Sequence, residues 1–265
     1  MHRISLIHPA GADWTVSSRL VDAGGLETIV AAESAAHPDA DVFVVPEALS
    51  EAPPQLVLMD VDSTFLNEEV IELIAAHAGV REEVARITDE AMRGELDFAA
   101  SLRARVAALA GLPESVLAEV REQVTLTAGV PELVAAVQGA GGVVALVSGG
   151  FAEVVVPVAA ELGIAEVLAN RLAVRDGLLS GEVDGPIIDR RAKADQLRVL
   201  CERLDIDPAR TVAIGDGAND AEMVQAAGFG IAFCAKPALA EVADAALTVR
   251  RMDAVWAALT GEPIG

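Results

Sequence analysis

The sequence predicts an α/β protein: a parallel-sheet core, a helical bundle inserted into it, and a small α+β unit ahead of both. Three observations carry this reading. Short unbroken apolar runs, LVLM (56–59), VVALV (143–147) and TVAIG (211–215), suit strands buried on both faces. Segments of helical period alternate with them, the pattern of a parallel sheet covered by helices. Residues 67–125 carry consecutive short amphipathic segments, which interrupt the alternation and mark an insertion.

Bulk properties narrow the function. With 265 residues, 53% of them apolar, the chain can bury a sizeable core and is not disordered. Aromatics are 3% with no Tyr, which disfavours a base-stacking surface, and the net charge of −22 opposes binding to a phosphate backbone. No nucleic-acid partner is expected. An anionic substrate would approach against this field, so local cations and a metal must bind it. Cys201 and Cys234 lie far apart in no metal-ligand pattern and read as reduced thiols, which suits a cytoplasmic chain. No run approaches the length of a membrane span, and ISLI (4–7) is followed too soon by His8, Pro9 and Asp13 for a signal peptide.

Element by element, residues 1–54 read as a strand-helix-strand-strand unit of unassigned role. ISLI is a strand, TVSSRLVDAG (15–24) a helix ending at Gly24, and ETIVAAE (27–33) and DVFVV (41–45) two more strands. PEALSEAPP (46–54) reads as a linker. Within 67–125, helices are expected over 68–79, 81–95, 98–111 and 112–124, the last opened by Pro113 and two acids. The core comprises 55–66 and 126–265. There a helix over 131–141 leads to the strand VVALVS (143–148), and a helix over 151–163 follows, kinked or shortened by Pro157. Residues 166–183 form two strands around the hairpin signal Asp176-Gly177. A helix over 192–204, the strand TVAIG, a helix over 221–228, and the strands GIAFC (230–234) and ALTV (246–249) complete the sheet.

Three of these strands end in polar residues of a specific kind. LVLM ends at Asp60, VVALV at Ser148-Gly149-Gly150, and TVAIG at Asp216. In a parallel sheet such ends share one edge, where ligands bind. Asp60, Asp62 and Asp216 can then share a hard cation through oxygen, the chemistry Mg2+ prefers. Ser148 and the glycines supply a hydroxyl and close N–H groups, a phosphate nest, and Lys193 supplies a point cation. Each signal alone has a bland reading: a DxD loop, a Ser-Gly-Gly turn, a surface lysine. Their coincidence at three strand ends is what points to a site.

DVDST (60–64), SGG (148–150), Lys193 and GDGAND (215–220) resemble the four ordered motifs of the haloacid dehalogenase (HAD) superfamily. Within it, the phosphoserine phosphatase family is the closer match. That resemblance runs over about 56–252, including EAMRGELDFAASLRARV (90–106) and AFCAKP (232–237), and leaves residues 1–54 outside. It implies a HAD-like Rossmannoid core with a C1-type helical cap at 67–125. It also implies a phosphoric monoester hydrolase that converts O-phospho-L-serine to L-serine and phosphate in serine biosynthesis.

By the same resemblance, Asp60 is the nucleophile that becomes phosphorylated and Asp62 the general acid/base. Mg2+ is held by Asp60, the backbone carbonyl of Asp62, and Asp216. Ser148, Gly149, Gly150, Lys193 and Asn219 bind phosphate, and Asp220 orients Lys193 or the metal's waters. In the cap, Glu69 meets the substrate ammonium, Arg105 its carboxylate, and Met92 and Phe98 shield the pocket. An acid at position 62 fits a phosphatase or a phosphomutase rather than a dehalogenase. A phosphatase of another small phosphomonoester, a phosphotransferase and a non-catalytic binding protein are the competing readings. The partner expected is the small-molecule substrate, with room for a homodimer.

Overall fold

The structure is a computed structural model that describes residues 1–11, 13–92 and 97–264, with the side chains of 89–92 left aside. The chain opens with β1 (His2–Ala10) and β2 (Asp13–Val21), an antiparallel pair, followed by α1 (Leu26–Ala36), β3 (Asp41–Val45) and α2 (Glu47–Glu51). These strands form their own sheet in the order β2-β1-β3.

Two assignments for this unit are corrected. TVSSRLVDAG is strand, not helix: Val16 and Leu20 are four apart, a spacing that shares one face in a helix and in a strand alike. Pairing along the whole length of β1 decides for strand. ETIVAAE is helix, not strand. Its β-branched Thr28, Ile29 and Val30 mislead, but Ala-rich sequence follows, Gly25 opens the helix in a left-handed conformation, and Pro38 lies just beyond its end. The 46–54 linker also contains α2, which buries Leu49.

β4 (Leu56–Met59) begins the main sheet. The inserted bundle follows: α3 (Val70–His77), α4 (Arg81–Met92), α5 (Phe98–Ala107) and α6 (Val116–Arg121), the last starting later than its sequence suggests. The core then resumes with α7 (Val130–Gly139), β5 (Val143–Phe151), α8 (Ala152–Glu161), β6 (Glu166–Arg175), β7 (Leu178–Asp184) and α9 (Arg190–Leu204). α8 continues through Pro157 rather than stopping there. β8 (Thr211–Gly215), α10 (Ala221–Ala226), β9 (Phe229–Phe233), α11 (Pro237–Ala240), β10 (Ala245–Leu247) and α12 (Asp253–Thr260) complete the chain. The sequence reading omitted α12, although Asp253 in its first turn and the left-handed Gly261 after it are ordinary end signals.

The main sheet has the order β10-β9-β8-β4-β5-β6-β7, parallel except for β7. β4 lies at its centre and is buried along its length. The chain leaves and re-enters the core through paired linkers. Leu66 bridges Leu126, the Asn67 N–H donates to the Thr125 carbonyl (2.9 Å), and the Glu68 carboxylate accepts from the Thr125 N–H (2.8 Å) and hydroxyl (2.7 Å). No helix among the described residues is long and apolar enough to cross a membrane.

The N-terminal sheet docks on α12 and on the β10 edge. The Ser5 hydroxyl donates to the Ala258 carbonyl (2.7 Å), the Asp41 carboxylate accepts from the Thr248 N–H (2.7 Å), and Phe43 meets Phe229 with ring centroids 6.3 Å apart. Ile7, Phe43 and Val45 thereby join one apolar cluster with Phe229 and Val255. A shared core predicts coupled unfolding. The two tryptophans, Trp14 in β2 and Trp256 in α12, report on this interface. Their fluorescence transition in denaturant should coincide with the far-ultraviolet circular dichroism transition, and Phe43→Ala should lower both together by about 3–5 kcal/mol. Loss of fluorescence ahead of the dichroism would show a separately melting unit.

Candidate active site

The register of the main sheet brings the strand ends together. Met59 of β4 pairs with Ile214 of β8 on one side and Leu146 of β5 on the other. Asp60, Ser148 and Asp216 therefore lie at one edge of the sheet, although β5 does not end at Ser148 as its sequence suggests but runs on through the glycines to Phe151. The Asp60 N–H donates to the Ile214 carbonyl (2.9 Å), extending the ladder by one residue. The chain then makes a wide turn over Val61–Phe65, closed by the Leu66 N–H on the Val61 carbonyl (2.9 Å), with Ser63 at φ 59°. A left-handed residue here turns the chain within a few residues, so Asp62 stays over the sheet edge near Asp60.

Lys193, in the first turn of α9, lies buried between two carboxylates. Its Nζ donates to Asp60 Oδ1 and to Asp220 Oδ1, each at 2.6 Å. All three residues are at most 3% exposed. Burial alone would lower the Lys193 pKa, but the two carboxylates outweigh it and hold the pKa above its ordinary value. Burial and the Asp220 charge push the Asp60 carboxyl up, with Lys193 opposing them. Asp220 spends its other oxygen on the Asp216 and Gly217 N–H groups (3.1 Å each), which fixes the turn after β8. A Cβ on Gly215 would sit 2.5 Å from Asp220, so glycine is required for that approach.

Asp62 faces the other way. Its Oδ1 accepts from the Val70 N–H at the start of α3 (2.8 Å), and its Oδ2 accepts from the Ser148 hydroxyl (3.3 Å). The Gly150 N–H in turn donates to Ser148 Oγ (2.7 Å). A Cβ on Gly150 would lie 2.7 Å from Asp62 Oδ2. Burial first, and the Glu69 charge second, raise the Asp62 pKa to about 7. One aspartate thus pairs with a buried ammonium, while its neighbour two residues on is poised to hold or release a proton near neutrality.

The cap residues lie above this edge. Glu69, at the N-cap of α3, is exposed and accepts from the Ser63 hydroxyl (3.0 Å). Arg105 of α5 is half-buried, and its Nε donates to the Ser101 carbonyl (3.4 Å). Burial lowers its pKa against the charges of Glu69 and Asp62. Phe98 opens α5, and a Cβ on Gly149 would stand 3.1 Å from its ring. Asn219 lies in the turn Ala218–Asp220, its side-chain oxygen beside Gly217 where a Cβ would clash. The side chain of Met92 falls outside the described residues.

Carboxylate oxygens of Asp60, Asp216 and Asp220 lie within 4.8 Å of one another. Burial, then the Asp220 and Glu69 charges, raise the Asp216 pKa to about 6. Hard oxygens crowded in this way fit a hard divalent cation. The Asp62 side chain is outside the group, and Asp220, engaged with Lys193, stands inside it. Two further residues went unmarked by sequence. Arg250, over the Phe233 ring, donates to the Ser63 carbonyl (3.2 Å) and the Asn67 side chain (3.2 Å). Asn170 of β6 binds the Gly149 carbonyl. A polar residue in the middle of the strand EVLANRLAVR was the one available signal for Asn170. Arg250 sits in no motif.

Residues 57–225 match the family model described as haloacid dehalogenase-like hydrolase. The chain belongs to this family. A phosphoserine phosphatase of Streptomyces coelicolor is 48% identical over 235 residues, 89% of this chain and 57% of the relative, so the chain spans little more than half of that relative's length. A phosphoserine phosphatase solved as a phospho-aspartyl intermediate analogue is 43% identical, with a TM-score of 0.72 over 77% of this chain and 98% of that one. A HAD family hydrolase of Salmonella enterica serovar Typhi, 26% identical, superposes over 99% of both chains with a TM-score of 0.87.

The raised Asp62 pKa has a consequence for stability in this HAD-family chain. The folded state binds the Asp62 proton more tightly than the unfolded chain does, so stability falls as pH rises from about 4 to about 7. In chelator, Asp62→Asn should flatten that decline and unfold at higher denaturant than the parent at pH 7.5, by at most about 4 kcal/mol. Parallel pH profiles for the two proteins would show that Asp62 is not proton-bound in this window.

Proposed function

We propose that this chain is a Mg2+-dependent phosphomonoesterase that hydrolyses O-phospho-L-serine through an aspartyl-phosphate. The observation that carries the reading is the division between Asp60, paired with the buried Lys193, and Asp62, with a pKa of about 7, two residues apart at one strand end. The phosphoserine phosphatases at 43–48% identity support it. The free thiols of Cys201 and Cys234 suit a reducing cytoplasm.

In this reading an Asp60 oxygen attacks phosphorus as the bond from phosphorus to the serine oxygen breaks. Asp62 gives its proton to the departing serine oxygen. A water then attacks the aspartyl-phosphate, Asp62 takes the water's proton, and phosphate leaves with Asp60 restored. The Ser148 hydroxyl, the Gly149 N–H, Lys193 and Asn219 hold the phosphoryl oxygens, with Gly150 leaving room for Asp62. Asp60, Asp216 and the Asp62 carbonyl would hold Mg2+, which when bound offsets phosphate charge and favours ionised carboxylates. Glu69 meets the substrate ammonium and Arg105 its carboxylate, where a guanidinium can bind both oxygens. Phe98 shields the pocket above them.

Phosphate release with Mg2+ across phosphorylated amino acids, sugars and glycolate tests the substrate, and kcat/KM should be highest for O-phospho-L-serine. A better sugar phosphate would move the assignment to another small phosphomonoester. Asp60→Asn should keep the fold and abolish turnover, whereas substantial residual hydrolysis would exclude the covalent route. Arg105→Ala should lower kcat/KM for O-phospho-L-serine by about 100-fold or more, as expected when a charged partner is truncated, yet change an aryl phosphate by less than about threefold. Equal losses would remove Arg105 from carboxylate recognition.

A further inference from the structure

Between β5 and β6 the parallel register slips. Ser148 pairs with Ala169 and Phe151 with Asn170, so Gly149 and Gly150 have no opposite residues. Such a bulge re-aims the backbone and leaves ladder groups unpaired. The side chain of Asn170 closes this gap. Its amide nitrogen donates to the Gly149 carbonyl (2.8 Å), and its amide oxygen accepts from the Ile188 N–H (2.8 Å). Both partners are backbone groups, one acceptor and one donor, so the amide has only one orientation that satisfies both. Asn170 is 1% exposed, and no part of it can reach solvent as a substitute partner.

The two groups it joins belong to different functional segments. Gly149 is the middle of the Ser148–Gly150 bulge, a looped-out stretch within β5. Ile188 precedes Asp189, the N-cap of α9, whose Oδ1 accepts from the Ala192 N–H (2.9 Å) and whose carbonyl accepts from the Lys193 N–H (3.0 Å). A Cβ on Gly149 would lie 3.9 Å from the Ile188 carbonyl, so the two backbones run side by side there.

We propose that Asn170 is a positioning residue that sets the phosphate-binding geometry by locking the Ser148–Gly150 loop to the start of the helix carrying Lys193. This rests on the reading of that loop as the phosphoryl site. Among the described residues, the side-chain hydrogen bonds of Asn170 go to the Gly149 and Ile188 backbone and not to Asp60, Asp62 or the inserted helices. Its loss should therefore impair recognition of phosphate and leave recognition of the amino-acid part intact.

The experiment compares Asn170→Ala and Asn170→Ser with the parent chain, using inhibition of aryl-phosphate hydrolysis by inorganic phosphate and, separately, by L-serine. Folding is checked by circular dichroism. In a folded variant, inhibition by phosphate should weaken about tenfold or more and kcat fall about 100-fold, the scale of a misplaced reacting group, with L-serine inhibition within twofold of the parent. Phosphate inhibition within twofold of the parent overturns the proposal. So does a parallel loss of phosphate and L-serine inhibition, which would mean general loosening, or failure of both variants to fold. If the parent ignores both O-phospho-L-serine and L-serine, the substrate assignment fails, and the phosphate arm still decides the role of Asn170.

Discussion

Everything at the strand edge depends on holding the Lys193 ammonium between Asp60 and Asp220 without water. Taking one cation and two carboxylates out of solvent costs several kcal/mol for each ion, and only short, well-directed hydrogen bonds offset it. The two 2.6 Å contacts meet that demand. They also constrain the surroundings. Asp220 must approach β8 closely, which requires Gly215, and its second oxygen must be occupied, which binds the Asp216–Gly217 turn. The ion triad is therefore a poor device for stability and a good one for placement. It fixes Asp60, Lys193 and the Asp216–Gly217 turn from a single buried point.

Asp62 extends this order from core to cap. Its carboxylate joins the Ser148 loop to the first N–H of α3, so the proposed acid/base also ties the sheet edge to the inserted bundle. The paired linkers at 66–68 and 125–126 and the Arg250 brace lie beside it. Phe98 reaches down to Gly149, and glycine at that position lets the ring come close. Burial is the main cause of the raised Asp62 pKa, with the Glu69 charge at the start of the inserted bundle adding to it. At the far edge of the sheet, the N-terminal unit shares the apolar core through Phe43 and α12.

Much of this was legible because the relevant signals are local. The runs before Asp60, Ser148 and Asp216 become strands β4, β5 and β8, and Asp176-Gly177 turns the β6–β7 hairpin with both residues at positive φ. The inserted helices follow from their period. The misread segments are those whose local pattern fits two structures. Val16 and Leu20 share a face in helix and strand, and Thr28-Ile29-Val30 favours a strand although the alanines after it and Gly25 before it carry a helix. Pairing with β1, a long-range fact, settles the first.

The sequence by itself determined which residue types gather at the sheet edge, because a parallel strand's apolar run and its polar terminus are adjacent in the chain. Only the tertiary structure decided what each does there. It turned the Asp62 carboxylate toward Ser148 and Val70, gave Asp220 to Lys193, and brought in Asn170 and Arg250 from segments without a motif. Hydrogen-bond partners and desolvation arise between segments distant in sequence, which strand register and the packing of helices and turns against the sheet bring together.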